Sequence, residues 1–135
     1  MANKVFLNLP VKNVIASRKF FQALGFTINE QFSDESGACV VISDEIYSMI
    51  LSHDKYKSFT NKEIPDTTKT SEVIITLAVE SKEEVDKLLE KVLEAGGKDS
   101  RKEDYGWMYG RAFEDLDGHI WEFFWMDPAH VKGSK

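Results

Sequence analysis

One order of predicted elements occurs twice in this chain of 135 residues, and the repeat constrains the fold more than any other feature. Asn8 to Asn13 aligns with Thr76 to Ser81 at a constant offset of 68 (8 to 76), and each segment ends on a helix-capping residue. Tyr47 to Ser52 aligns with His119 to Phe124 at an offset of 72 (47 to 119), each after an acidic turn. Two such units, each with an apolar helix face, should pack about a pseudo-twofold axis around a shared interior.

The first copy is predicted from its apolar periodicity. Val5 to Val11 alternates in the manner of a strand, and Asn13 is a good N-cap for an amphipathic helix that ends before Gly25. Three further strands are expected, at Phe26 to Phe32, Gly37 to Ser43 and Tyr47 to Ser52. The first copy therefore has the order β-α-β-β-β, and His53 to Thr60 could add a short helix after it.

The second copy repeats this order. Val73 to Val79 is predicted as a strand, and Ser81 to Glu84 is a capping box at the start of a helix that ends before Gly96. Three strands follow, at Lys98 to Asp104, Tyr109 to Glu114 and His119 to Met126. The Asp-Gly pair at 117–118 predicts a tight hairpin between the last two.

These elements predict an α+β fold in which two tandem β-α-β-β-β modules form curved mixed sheets around a central cleft. The modules are placed at 1–60 and 72–127, with a polar linker at 61–71 and a C-terminal tail at 128–135, in one compact domain. A hydrophobic content of 42% suits such a core. The interior face of each sheet should be the one opposite its helix.

Charge and composition exclude several classes of function. The net charge is -6 and the sequence pI is about 5.1, so the chain lacks the basic surface that nucleic-acid partners require. No apolar run approaches the roughly 20 residues of a membrane span, and the first residues lack the apolar segment of a signal peptide. We therefore expect a cytoplasmic protein with no membrane partner. The single cysteine, Cys39, lies in an apolar run and is expected to be a buried core thiol rather than a nucleophile.

One carboxylate, Glu122, lies in the middle of an otherwise apolar strand, where it is costly unless it has a partner or a task. Desolvation there would favour its protonated form, so Glu122 could act as a general acid or base. Alternatively, a nearby hydroxyl, amide or arginine satisfies it without any catalytic role. His119 should point to the opposite face of the strand, so a histidine–carboxylate catalytic pair is not predicted.

Three motifs carry a family resemblance: Asn-Leu-Pro-Val-Lys-Asn at 8–13, Lys-Phe-Phe-Gln-Ala-Leu-Gly-Phe at 19–26, and Phe-Glu-Asp-Leu-Asp-Gly-His-Ile-Trp-Glu at 113–122. With the duplicated order of elements, they resemble the vicinal oxygen chelate superfamily, which includes glyoxalase I, extradiol dioxygenases and bleomycin-resistance proteins. In that superfamily four inward positions, two per module, hold a divalent metal, usually as His, Glu or Gln. The resemblance places Phe6, Ile50, Ile74 and Glu122 at these positions.

Three of these four residues cannot serve as metal ligands, because Phe and Ile offer no lone pair. Glu122 is the only usual ligand retained, so no metal cofactor is expected at the usual place, although a divalent metal with other ligands is the alternative. A pocket should survive without the metal, as an apolar cleft with a few polar groups. Its expected inward lining is Phe6, Asn8, Ser48, Ile50, Ile74, Thr76, Glu122 and Phe124.

A loop of aromatic residues between glycines, Tyr105 to Arg111, adds three candidates for ligand binding, Trp107, Tyr109 and Arg111. The loop could close over the cleft and stack on a planar ligand, or it could plug its own pocket or pack against a second subunit. Arg111 could meet an anionic group of the ligand or Glu122, or it could be an ordinary surface arginine.

Two classes of function follow. The missing metal ligands favour a protein of the bleomycin-resistance kind that binds a small, partly apolar molecule. The alternative is a lyase of glyoxalase type, or a dioxygenase-like enzyme, with unorthodox metal ligands and Glu122 as ligand or base. The resemblance and the exposed strand edges also predict a homodimer, with Trp107, Tyr109 and Trp125 as candidates for its interface. The sequence identifies neither the ligand nor whether the modules pair within one chain.

Overall fold

The computed structural model describes residues 1–130, which contain eight strands and three helices. They divide into two compact units, Met1–Asp66 and Thr67 onward, and each unit has its own four-stranded mixed sheet. The α+β class and the duplicated β-α-β-β-β order are confirmed. The predicted tail at 128–135 lies mostly outside the described residues.

The first unit consists of four strands, one long helix and one short helix. Their bounds are β1 Val5–Val11, α1 Val14–Ala23, β2 Thr27–Asp34, β3 Gly37–Val41, β4 Ile46–Ser52 and α2 His53–Lys57. The strand order is β1-β4-β3-β2, and only the β1–β4 pairing is parallel. Helix α1 begins where the Asn13 side chain accepts a hydrogen bond from the Ala16 N–H at 3.0 Å. It buries Phe20 and Phe21 as part of the apolar core of the unit.

Helix α2 adds a third helix to the two that the repeat predicts. The Ser52 hydroxyl accepts a hydrogen bond from the Lys55 N–H at 3.1 Å, which satisfies one of the free donors of the first turn. Asp54 lies in the first turn and Lys57 in the last, so both charges complement the helix dipole. The short helix that the sequence left possible after β4 is therefore present, and it is five residues long.

The second unit repeats the arrangement with one helix. Its elements are β5 Ile74–Ala78, α3 Lys82–Glu94, β6 Lys98–Asp104, β7 Met108–Glu114 and β8 Ile120–Met126, and the strand order is β5-β8-β7-β6. Ser81 caps α3 by accepting a hydrogen bond from the Glu84 N–H at 3.1 Å. The helix buries Val85, Leu89 and Val92 completely, as its spacing predicts.

The predicted hairpin between β7 and β8 is confirmed, and Asp115 organises it. One carboxylate oxygen of Asp115 accepts hydrogen bonds from the N–H groups of Asp117 at 2.9 Å and His119 at 3.0 Å. The other accepts one from the Trp121 indole at 3.0 Å. Gly118 has a φ of +87°, and a Cβ atom there would lie 2.6 Å from a backbone oxygen of Thr67, so only glycine fits.

Cys39 is buried, as its apolar surroundings predict. Burial raises the pKa of its thiol, which makes the reactive thiolate rarer at neutral pH. Cys39 is thus a core residue of the first unit. None of the three helices within residues 1–130 is both long and apolar enough to cross a membrane.

Candidate functional site

Each sheet has one face covered by the long helix of its unit and one face turned away from that helix, which we call the open face. In the first unit, buried residues such as Val11 and Val40 lie on the covered face. In the second unit, Trp121 and Phe123 lie there. The candidate functional residues are those that the strand register places on the open faces.

The open face of the first unit carries Phe6, Asn8, Tyr47 and Met49. Phe6 is paired in register with Tyr47, and Asn8 with Met49. The Phe6 and Tyr47 rings stack with centroids 4.7 Å apart and planes 10° apart. Phe6 is nevertheless 53% exposed, so this aromatic surface is accessible to a ligand.

Two residues predicted to line the cleft lie on the covered face instead. Ser48 is paired with Leu7, whose carbonyl oxygen accepts a hydrogen bond from the Ser48 hydroxyl at 3.2 Å, and Ile50 is paired with Leu9. Both Ser48 and Ile50 are completely buried. Their placement on the inward face with Phe6 is therefore wrong, because alternate residues of a strand point to opposite faces.

The register also corrects the internal repeat by one residue. Asn8 is paired with Met49, and its counterpart Thr76 is paired with Glu122, so the true offset between β4 and β8 is 73 (49 to 122). The sequence alignment used 72, which made Ile50 the counterpart of Glu122. A shift of one residue moves a side chain to the other face of the sheet. The position equivalent to Glu122 in the first unit is therefore occupied by Met49.

A cavity of about 290 Å³ opens beside α2 in the first unit, and it is lined by Asn8, Tyr56, Phe59 and Thr60. Asn8 was predicted as a ligand-binding residue, whereas the other three were not. Their signal in the sequence is a pair of aromatic residues, Tyr56 and Phe59, three positions apart within the short helix that was possible at 53–60. The Lys55 ammonium group lies 5.4 Å from the centroid of the Phe59 ring.

The open face of the second unit centres on Glu122. Its carboxylate accepts one hydrogen bond from the Thr76 hydroxyl at 3.1 Å and another from the Arg101 guanidinium at 2.8 Å. Glu122 is only 9% exposed, whereas the side chain of Arg101 is 43% exposed. The mid-strand carboxylate thus has both a hydroxyl and an arginine partner, and a catalytic role for Glu122 stays a prediction. Thr76 was among the predicted lining residues.

Small residues leave room for this ion pair. The register aligns Arg101 of β6 with Ala112 of β7, and Ala112 with Glu122 of β8. The arginine side chain therefore crosses one strand to reach the glutamate. A Cβ atom at Gly110 would lie 3.0 Å from the Glu122 carboxylate and 3.2 Å from Cβ of Phe124, so the glycine also keeps space for it. Phe124, another predicted lining residue, is on this face.

Arg111 and Tyr109 lie on the covered face, so their predicted place beside the cleft is wrong. Arg111 pairs with Asp99 at 2.8 Å and with Asp86 of α3 at 3.5 Å, and not with Glu122. The Tyr109 hydroxyl donates to Asp86 at 2.5 Å. Burial and this hydrogen bond raise the pKa of the Tyr109 phenol. Both side chains therefore fasten α3 to its sheet.

Trp107 is part of a stack of three rings. Its ring lies 4.1 Å from that of His130 and 6.0 Å from that of Tyr105, measured between centroids. The Asp127 N–H donates to the Trp107 carbonyl oxygen at 2.7 Å, which ties the loop to the end of β8. These contacts hold the Trp107 ring against neighbouring rings of its own unit. The role of the loop as a lid over a ligand stays a prediction.

The residues at the superfamily's metal positions do not fit a divalent transition metal. With the register corrected, these positions hold Phe6, Met49, Ile74 and Glu122. The thioether of Met49 is a soft and weak ligand, and the side chains of Phe6 and Ile74 have no ligand atom. Glu122 already pairs with Arg101, whose positive charge would oppose a cation. Within residues 1–130, no group of three or more His, Cys, Asp or Glu side chains could hold a metal ion.

Comparisons with known proteins agree with this fold. The family profile described as "Bleomycin resistance protein-like N-terminal" matches residues 4–43. A hypothetical protein from S. aureus has 31% sequence identity, with 92% of this chain and 94% of that chain aligned and a TM-score of 0.77. No functionally curated protein matches the sequence.

More distant solved structures share the fold. One is a glyoxalase/bleomycin resistance protein/dioxygenase family enzyme from Burkholderia phytofirmans PsJN, with 16% identity, 90% of this chain and 96% of that chain aligned, and a TM-score of 0.77. Another is a fosfomycin resistance protein from Mesorhizobium loti, with 11% identity, 96% and 97% aligned, and a TM-score of 0.71. The family profile, the duplicated modules and these structures confirm the resemblance read from the sequence. This chain belongs to the glyoxalase/bleomycin-resistance/dioxygenase proteins, the vicinal oxygen chelate superfamily.

Proposed function

We propose that this protein binds a small, partly apolar molecule without the divalent metal that its superfamily usually holds. The observation that carries the proposal is the cavity beside α2, whose walls combine two aromatic rings, Tyr56 and Phe59, with the amide of Asn8 and the hydroxyl of Thr60. Apolar walls with a few polar groups are typical of small-molecule sites. Its volume of about 290 Å³ is close to the lower end of the range usual for small-molecule sites, so we expect a small ligand.

The state of Glu122 supports a function without a metal. This carboxylate is buried between the Thr76 hydroxyl and the Arg101 guanidinium, so its negative charge is already compensated. A metal-dependent lyase or dioxygenase-like enzyme is the alternative function, and it would require Glu122 to leave Arg101. It would also require further ligands with lone pairs in place of Phe6 and Ile74.

Exposed apolar side chains give further support. Phe6 and Ile74 are each about half exposed on the open faces of their own units. Exposed apolar surface is unfavourable in water, and a partly apolar ligand would cover it. We infer that apolar contact supplies most of the affinity and that the polar groups orient the ligand.

A screen of small aromatic compounds, followed by calorimetric titration of the hits, tests the proposal. Phe59→Ala removes one wall of the cavity, and Phe32→Ala is its matched control, because the two side chains are 65% and 63% exposed and Phe32 lies outside the cavity. Neither change should alter stability much. Phe59→Ala should weaken binding about tenfold, the value of one well-placed aromatic contact, and Phe32→Ala should not. A screen without hits, or equal affinities for both variants, would contradict the proposal.

The homodimer and the cytoplasmic location remain predictions from the sequence and are part of this proposal. Trp125, a candidate for the dimer interface, is only partly buried within the single chain, with the Lys82 ammonium group 5.4 Å from the centroid of its ring. Light scattering on the purified protein at micromolar concentration should give twice the mass of one chain, and the mass of a monomer would contradict the dimer.

A further inference from the structure

We propose that Arg101 makes the open face of the second unit a recognition site for the carbonyl oxygen of an uncharged, partly apolar molecule. The residues concerned all belong to the second unit, whereas the cavity beside α2 belongs to the first. The inference extends the proposed function by naming a recognition residue and a chemical class, and its test does not depend on that cavity.

The first observation is that most of the Arg101 guanidinium is available. An arginine side chain has five N–H donors. Within residues 1–130, its Nη2 bond to Glu122 is the only hydrogen bond of the Arg101 side chain. The side chain is 43% exposed, so a ligand in solution can reach it. The remaining donors can bind an acceptor oxygen without breaking the pair with Glu122.

The second observation is that the guanidinium is held in place before a ligand arrives. Glu122 is buried and fixed by Thr76 on its other side, so it anchors Arg101 at one edge. Ala112, aligned between Arg101 and Glu122, is too small to push the arginine away from the sheet. A side chain that is already ordered loses less conformational entropy when a ligand binds.

The charge of the site favours a neutral acceptor over an anion. Glu122 compensates the positive charge of Arg101, and the whole chain carries a net charge of -6. A ligand carboxylate would lose its hydration without meeting an uncompensated positive charge. A carbonyl oxygen loses far less hydration and still accepts a hydrogen bond from a charged donor. Amides, ketones and esters therefore fit the site.

Apolar neighbours define the rest of the ligand. Ile74 and Phe124 lie on the same face as Glu122. Phe124 is two residues after Glu122 in β8, and Ile74 is two residues before Thr76, the residue of β5 that is aligned with Glu122. Ile74 is half exposed and Phe124 is partly exposed. An aromatic or branched aliphatic group next to the carbonyl can cover one of them while the oxygen meets Arg101.

Titration of the ¹⁵N-labelled full chain with three matched probes, followed by NMR, tests the inference. Benzamide offers a neutral carbonyl, benzoate offers an anion, and benzylamine offers only donors on the same ring. We expect benzamide to shift the amide signals of residues 110–112 and 122–124 and to bind more tightly than the other two probes. Tighter binding of benzoate, or benzamide shifts confined to other residues, would overturn the inference.

The double variant Arg101→Gln/Glu122→Gln removes the guanidinium without leaving a buried charge unpaired. It should weaken benzamide binding about tenfold, as expected for the loss of a hydrogen bond to a charged donor. Lys102→Gln is the matched control, because it removes one positive charge from the next residue of the strand. The register aligns Lys102 with Arg111, so its side chain is on the covered face. Equal affinity in the double variant and the wild type would contradict a role for Arg101.

Arg101→Lys provides a second test if the double variant does not fold. Lysine keeps the charge but lacks the planar fork of donors, so one amine cannot hold Glu122 and a ligand oxygen in the same geometry. Benzamide binding should weaken several-fold while the chain stays folded, and an unchanged affinity would again overturn the inference. Failure of the separate Phe59 test would leave these results unaffected, since the two tests use different residues.

Discussion

The side chains of Arg101 and Glu122 meet across an intervening strand, with Nη2 of the arginine 2.8 Å from Oε2 of the glutamate. Ala112 lies between them in the register of the sheet. This pair explains how a carboxylate is tolerated in an otherwise apolar strand, because an ion pair and the Thr76 hydroxyl replace the lost hydration. Glu122 is the only one of the superfamily's usual metal ligands that this chain retains, and its partner here is an arginine.

The two members of this pair should differ in their effect on stability. Arg101→Ala leaves Glu122 buried without its cation and should lower the free energy of unfolding by about 1–3 kcal/mol. Glu122→Gln removes the charge but keeps an acceptor for Thr76, so it should cost about 1 kcal/mol or less, given that Arg101 is partly exposed. Urea unfolding at neutral pH measures both. The pairing would be questioned if Glu122→Gln were the more damaging change.

Gly110→Ala should be destabilising for a reason specific to this site. The added Cβ atom would lie 3.0 Å from the Glu122 carboxylate and 3.2 Å from Cβ of Phe124. Because Glu122 is held by two hydrogen bonds, it cannot move away freely, and crowding of this kind typically costs about 1–3 kcal/mol. Thermal or urea unfolding of the variant measures the loss. Wild-type stability would show that the carboxylate is less constrained than the contacts indicate.

Tyr109→Phe should have an effect that depends on pH. The pKa of Tyr109 is raised by burial and by its bond to Asp86, so the folded protein holds the phenol proton more tightly than the unfolded chain does. The stabilisation that the Tyr109 phenol gives the folded protein is complete below the ordinary tyrosine pKa of about 10. It is lost as the pH rises through the raised pKa of the folded state. Tyr109→Phe should therefore cost about 1 kcal/mol at pH 7 and less in strongly alkaline solution.

Urea unfolding of the wild type and of Tyr109→Phe, each at neutral and alkaline pH, tests this prediction. All other residues are the same in the two proteins, so their contributions cancel in the difference. If the difference in unfolding free energy stays constant with pH, the pKa of the Tyr109 phenol is not raised in the folded protein, and the prediction is wrong.

The order of elements could be predicted because its signals are local. Asn13 and Ser81 mark the helix starts by capping alone, and the apolar periodicity of each element spans only a few residues. The faces of the strands were harder to assign, because they depend on the pairing of distant segments. An error of one residue in the repeat made Ile50 rather than Met49 the counterpart of Glu122.

The partner of Glu122 was missed for a related reason. Simple alternation along β6 would put Arg101 on the same face as Asp99, which is the covered one. The register shifts between these two residues, and Arg101 therefore joins the open face. A bulge of this kind inserts one residue and reverses the alternation after it. Nothing in the sequence of β6 marks that position, so Arg111 was the natural candidate.

The metal content of the purified protein tests the central claim most directly. At the superfamily's ligand positions, Phe6 and Ile74 offer no lone pair and Glu122 is paired with Arg101, so we expect far less than one transition metal ion per chain by elemental analysis. A stoichiometric Zn, Ni, Fe or Mn ion that Glu122→Gln releases would contradict the claim and would instead support the metal-dependent lyase or dioxygenase alternative.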